Sequence, residues 1–299
     1  EASADWRRVR TDLDAYTGWV HAGYCAEVDE PTVEAWTREA TGWSLGAVVP
    51  MCAEPSLRAE QTNQLVLGET AAILETSGEW RKVQTGLDNY VGWVHGGYCA
   101  EVEDAEAETW RSQAGAWSLG AVVRVGEQRV RLPLRARLVL EGETVRLPDG
   151  RRAKVVEGTV TPGAHAVPAA RAKAPERWAM EYFAGAPYEW GGVTPCGVDC
   201  SGVVQTTFLA RGTTLPRDSS QQAGCGAPIP PDAMRPGDLL FFRGESTDRI
   251  THVAFAGEAD TLVHSTVSLG GMVQEPWLPG SRAAPLRDRL VAVRRLEER

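Results

Sequence analysis

The sequence predicts a multidomain chain: an all-β N-terminal part built from small repeated barrels, followed by an α+β domain. Three observations carry this. Segment 11–28 returns at 85–102 with fourteen of eighteen positions identical. Around it lie short apolar or alternating runs broken by Gly, Asn and Asp. From Ala174 onward the pattern changes to apolar residues at helical spacing, interleaved with strand-like runs.

The repeat has an offset of 74 residues, and Trp-Ser-Leu-Gly-Ala-Val-Val recurs intact at 43–49 and 117–123. Trp6 and Trp80, Trp19 and Trp93, Trp36 and Trp110, and Trp43 and Trp117 keep the same offset. Duplication therefore explains eight of the eleven tryptophans without a ligand site. Within a repeat, the runs starting at Gln64, Ala72, Trp80 and Val91 read as strands, and Gly68-Glu, Ser77-Gly and Leu87-Asp-Asn punctuate them. Short strands on tight spacing predict a small barrel. The final Tyr-x-Gly-Trp-Val strand, at 16–20 and 90–94, resembles the bacterial SH3-like modules of cell-wall enzymes. The expected division is a partial module at 1–41, a complete one at 42–115, a divergent SH3-like one at 116–165, and the α+β domain at 166–299. Glu1 to Trp6 aligns with Glu75 to Trp80, so the first half of the first module is expected to be missing ahead of residue 1 or truncated. Thr161 to Pro175, rich in Pro and Ala, reads as a linker. His21 and His95 repeat where no chemistry is expected and read as module structure.

The net charge of −9 and pI near 5.2 argue against nucleic acid and anionic membrane surfaces as partners, since both select clustered Lys and Arg. No apolar run reaches the roughly 18 residues of a membrane span. The first residues are not a signal peptide. Cys25, Cys52, Cys99, Cys196, Cys200 and Cys225 read as thiols of a reducing compartment, because a core this large needs no staple. Cys25 and Cys99 hold equivalent repeat positions and read as small buried hydrophobes. The expected location is the cytoplasm, with secretion or wall association as the alternative. The sequence leaves the oligomeric state open.

The C-terminal part carries the chemistry. Pro175 opens a helical pattern, the turn-rich loop Gly185 to Gly192 follows, and apolar positions 203, 204, 208 and 209 predict a second helix ending at Gly212. Cys200 then lies at that helix's N-terminus. Partial positive charge and free N–H groups there favour a thiolate and can hold an oxyanion. Thr251 to Ala256 and Thr261 to Thr266 predict a hairpin turned at Gly257 to Asp260, which brings His252 and His264 onto neighbouring strands. One imidazole can take the thiol proton while the other orients it.

Pro-Tyr-x-Trp-Gly-Gly at 187–192, Asp-Cys-Ser-Gly at 199–202, Leu-Pro-Arg-x-Ser at 215–219, Pro-Gly-Asp-Leu-Leu-Phe-Phe at 236–242, His252-Val and His264 stand in one order. That order resembles the NlpC-type cysteine peptidases, which have a papain-like fold. The resemblance implies Cys200 as nucleophile, His252 as general base and acid, His264 as third polar residue, and Tyr188 lining the oxyanion site. It implies cleavage between γ-linked D-glutamate and a diamino acid in murein peptides, without a cofactor. Some family members with N-terminal SH3-like modules recognise a free L-alanine amine. Here that implies Asp199, Ser201, Ser219, Glu54 and Tyr90, with Ser220 and Tyr16 competing for two of these places. Such a site would select released murein peptides over intact wall. Asp199 also reads as a helix cap, which is compatible with ligand binding. A zinc site built from Cys196, Cys200, Cys225, His252 and His264 is the weaker reading, because the Cys196-to-Cys200 gap is not the usual spacing. A Cys196–Cys200 disulfide stays open. The rival functions are a secreted hydrolase of cross-linked wall and a non-catalytic wall-binding protein.

Overall fold

The computed structural model describes residues 2–3, 6–10, 17–21, 48–100, 102 and 104–297. The chain divides into two compact units, Glu1–Trp43 and Ser44–Arg299. In the first, β1 (Ala2–Ser3), β2 (Trp6–Arg10) and β3 (Thr17–His21) form an antiparallel sheet in that order. The readings of Cys25 and Tyr16 fall outside the described residues.

The second unit begins with β4 (Val48–Cys52), β5 (Gln61–Val66), β6 (Ala71–Ser77), β7 (Trp80–Thr85) and β8 (Val91–His95), in sheet order β5-β4-β8-β7-β6. Gly68, Gly78 and Asn89 take positive φ at the tight turns between these strands, where the sequence places its punctuation. Val49, Met51, Leu65, Val83 and Val94 form the core. Cys99 packs on that core only half-buried, where full burial was expected.

The sequence reading found no helix between this barrel and the next sheet, yet α1 spans Asp104–Gln113. Acidic residues near its start suit the helix dipole, and Trp110 Nε1 anchors it by donating to Gly68 O at 2.9 Å.

β9 (Ala116–Ser118), β10 (Val122–Val125), β11 (Gln128–Arg131), β12 (Arg137–Glu141), β13 (Thr144–Arg146), β14 (Arg152–Glu157) and β15 (Val160–Pro162) follow, in sheet order β11-β10-β14-β13-β12-β9-β15. The stretch expected as a linker is instead β15 followed by α2 (Gly163–Arg171). Its alanines favour helix and permit close approach: buried Ala170 packs with Leu134 and Ala210.

The last part contains α3 (Pro175–Tyr182), the short hairpin β16 (Val193–Thr194) and β17 (Gly197–Val198), α4 (Cys200–Ala210) and α5 (Ser219–Gln222). A six-stranded sheet follows from β18 (Ala227–Pro228), β19 (Leu239–Arg243), β20 (Ile250–Ala256), β21 (Thr261–Thr266), β22 (Gly271–Pro276) and β23 (Leu290–Arg295), in order β18-β23-β19-β20-β21-β22. Every residue of α4 is buried, and Gly212 at φ 80° ends the helical segment. Val203, Val204 and Phe208 pack with Phe241, Val253 and Phe255 on one sheet face, while Leu240, Phe242, Leu262 and Trp277 fill the other.

The barrel and the α+β part interlock through polar side chains. Gln61 and Gln64 donate to Glu189 Oε1 at 2.9 and 3.0 Å, and Gln64 Oε1 accepts from Val193 N–H at 3.0 Å. Arg135, 2 % exposed, pairs with Glu69 of the barrel and donates to Gln205 of α4. Buried polar groups of this kind are stable only when each finds its partner.

Candidate active site

Cys200 opens α4, and the preceding Asp199 caps it. Asp199 Oδ1 accepts from Gly202 N–H at 2.7 Å and from Ser201 Oγ at 3.1 Å. The loop 187–192 presses on this first turn so closely that a Cβ at Gly202 would meet Gly192 O at 2.1 Å. The glycines of the two motifs are therefore required by backbone approach.

Strand register explains how the sulfur enters the sheet. β20 and β21 pair only at Phe255↔Val263 and Ala256↔Leu262, and beyond these the ladder stops. Ala256 N–H points to the β19 side, donating to Asp238 O at 2.8 Å. Antiparallel N–H groups alternate in direction, so Val253 N–H faces the gap toward β21. There it stabilises the Cys200 thiolate, together with Ser201 N–H. Burial outweighs both donors, Asp199 adds to it, and the thiol is pushed up to about 12.

The histidines stand at the end of the same gap. His252 Nε2 and His264 Nδ1 share a hydrogen bond of 2.6 Å, and His264 Nε2 lies 2.8 Å from Glu275 Oε1. Arg282 grips Glu275 through two contacts, one of them Nε to Oε2 at 2.9 Å. Burial first, and then the neighbouring His264, push His252 down to about 3. Phe242 flanks the His252 ring at 5.9 Å between centroids. Glu275 escaped the sequence reading. Its one signal is register: Val273 opposes His264, so Glu275, two residues on, shares that face.

Tyr188 is half-buried and tied to the β22 edge by its N–H, which donates to Gly270 O at 2.9 Å. Burial, followed by the charges of Cys200 and Asp199, raises its phenol. Asp199 and Ser201 do not stand open. Asp199 Oδ2 accepts from Gly191 N–H at 2.9 Å and from Arg217 at 2.5 Å, and Arg217 also donates to Ser201 Oγ at 2.7 Å. Ser219 is buried at the start of α5 and Ser220 is exposed; α5 sits on α4 through Gln222 Nε2, which donates to Ser201 O at 3.1 Å. Tyr90 reaches this region from the barrel. Its hydroxyl bonds Thr62 and lies in the field of Asp218, Arg217 and Asp88. Glu54 is exposed on the loop after β4 and has no side-chain partner among the described residues.

The sequence reading also passed over Asp218. Asp218 is exposed, yet desolvation on its site-facing side raises its carboxyl; Asp199 and Asp88 add to this and Arg217 opposes it. No donor among the described residues satisfies it.

Cys52, Cys99, Cys196, Cys200 and Cys225 are free thiols. Among the described residues no group of three or more His, Cys, Asp or Glu side chains is arranged to hold a metal ion. No described helix is long and apolar enough to cross a membrane.

A thiol at a buried helix start, an imidazole pair and a nearby phenol on a six-stranded antiparallel sheet define a papain-like cysteine peptidase site. Residues 185–281 match the NlpC/P60 family and residues 51–96 the bacterial dipeptidyl-peptidase Sh3 domain, and the chain carries both domains. It is 42 % identical over 85 residues to a gamma-D-glutamyl-L-lysine dipeptidyl-peptidase of Bacillus subtilis, covering 28 % of this chain and 29 % of the relative. The probable endopeptidase NlpC of Escherichia coli is 39 % identical over 94 residues, covering 31 % and 61 %. A gamma-D-glutamyl-L-lysine dipeptidyl-peptidase of Bacillus cereus is 24 % identical over 281 residues, covering 85 % and 81 %. The chain thus matches less than two thirds of the length of the first two. An NlpC/P60 family protein from Bacillus cereus shares the fold at TM-score 0.72, with 20 % identity, over 85 % of this chain and 98 % of that one.

Proposed function

We propose that this chain hydrolyses the γ-D-glutamyl–diamino acid bond of murein peptides by acyl transfer. Cys200 attacks the γ-carbonyl, Tyr188 and the α4 N–H groups receive the oxyanion, and His252 protonates the leaving amine. Water activated by the same histidine then frees the acyl group. The observation that carries this reading is the Cys200 sulfur beside Val253 N–H, next in chain to a histidine whose Nε2 bonds His264.

The substrate is a peptide whose L-alanine amine is free, as in the recycling of released wall peptides in the cytoplasm. Five donors already satisfy Asp199, so an ammonium gains little there. Asp218 supplies the countercharge, with Tyr90 beside it. Mass spectrometry of products from L-Ala-γ-D-Glu-L-Lys and its diaminopimelate analogue, amine free and acylated, tests this. Release of L-Ala-γ-D-Glu from the free peptides alone is expected. Equal rates on both would end the amine reading and favour a hydrolase of intact wall. Undiminished hydrolysis by Cys200→Ala would end the catalytic one.

A further inference from the structure

We propose that Glu275, held by Arg282, is the positioning residue that sets the proton order along the histidine pair. The proposal rests on the catalytic reading of Cys200 and His252 and deepens it.

An ionised carboxylate only accepts hydrogen bonds, so the hydrogen between Glu275 Oε1 and His264 sits on His264 Nε2. In a neutral imidazole the other nitrogen is then an acceptor, so His264 Nδ1 receives. The 2.6 Å contact requires one donor, and that donor is His252 Nε2. His252 Nδ1 is left as the single basic nitrogen of the chain of groups. When it takes the thiol proton, a thiolate and an imidazolium form, and the positive charge lies two hydrogen bonds from a fixed negative one.

Reversal shows what Glu275 prevents. With the hydrogen on Nδ1 of both rings, His252 would present an N–H to the sulfur and have no base. A neutral acid or an amide at 275 permits that order. Burial would tend to neutralise this carboxyl, and the bonds from His264 and Arg282 overcome it and hold it below its ordinary range. Of the other charges around the pair, Arg289 and Arg282 oppose the imidazolium and Glu275 favours it. Asp199 lies on the α4 side beside the sulfur. Glu275 is 6 % exposed and His264 2 %, so water does not compete for these bonds.

The full chain, labelled with ¹⁵N-histidine, gives the test. Long-range ¹H–¹⁵N spectra near neutral pH report which nitrogen carries hydrogen, with the two rings assigned through His252→Gln and His264→Gln. Iodoacetamide alkylation of Cys200 across a pH series reports the base without any substrate. The wild type is expected to carry hydrogen on Nε2 of both rings. Glu275→Gln is expected to move hydrogen to Nδ1 in at least one ring and to slow alkylation about 100-fold near neutral pH. Glu275→Asp restores most of both. Unchanged ring protonation and an unchanged alkylation profile in Glu275→Gln overturn the proposal. Should that variant not fold, Arg282→Met decides: a freed Glu275 protonates at higher pH, so the Nε2 order must be lost earlier on acidification, and behaviour identical to wild type overturns the proposal. Failure of the underlying reading looks different. In that case Cys200→Ala still hydrolyses peptide, or iodoacetamide spares Cys200, whatever residue stands at 275.

Discussion

Asn63, on a barrel strand, accepts a hydrogen bond at 3.0 Å from Nε of Arg217, whose terminal nitrogens hold Asp199, the cap of the helix bearing Cys200. Asn63 and Arg217 are 0 % and 2 % exposed. Arg217→Met leaves Asp199 buried without its cation and is expected to cost about 3–5 kcal/mol. Asn63→Ala orphans one buried donor and is expected to cost about 1–3 kcal/mol. Midpoints of urea unfolding at constant m-value check both. Peptide hydrolysis by Asn63→Ala reports how far a barrel residue supports the distant sulfur.

Asp218 carries the amine reading. Asp218→Asn is expected to lower kcat/KM for peptides with a free amine about 10- to 100-fold, the worth of one charge-assisted hydrogen bond. Iodoacetamide alkylation of Cys200, which needs no substrate amine, should be unaffected. A parallel loss of alkylation would mean that the variant disturbs Arg217 instead.

His252 sets an acid limit on stability. Its ordinary value is 6.5 and the fold pushes it down to about 3. Below pH 6.5 the unfolded chain therefore takes a proton that the folded one refuses. Stability is complete above about pH 6.5 and falls as pH drops toward 3. Glu275, held below its ordinary 4.5, adds the same sign only at lower pH. Urea midpoints between pH 6.5 and 5 should decline in the wild type and stay flatter in His252→Gln; equal slopes would refute the assignment.

Gly202 tests the close approach of two motifs. Gly202→Ala places a methyl 2.1 Å from a backbone oxygen that has no rotamer to escape through. A loss of about 3 kcal/mol or more is expected, at the upper end for overpacking. It should be read as a lower thermal midpoint, together with slower alkylation of Cys200.

Local pattern made much of this fold legible. The barrel strands, the Pro175 helix, the Cys200 helix and the histidine hairpin all follow from period and turn chemistry within a few residues. α1 and α2 were missed because alanine, acidic residues and proline mimic linker composition, and only packing on Gly68 and Ala210 fixes them. Cys200, His252 and His264 were legible as candidates because motif order carries them. Glu275, Arg217 and Asn63 were not, since each acquires meaning from a partner brought near by sheet register or domain packing. Glu54 marks the opposite case: the family resemblance pointed to it, and it stands exposed with no side-chain partner among the described residues.

The polar seam between barrel and α+β part limits how such chains can be rearranged. Gln61, Gln64 and Asn63 fill sockets at Glu189, Val193 and Arg217. A lobe severed from residues 48–95 would carry an unplugged guanidinium and an unplugged amide behind its own nucleophile. The two parts are therefore not interchangeable cassettes, and any foreign module grafted in front must bring side chains of the same shape and polarity.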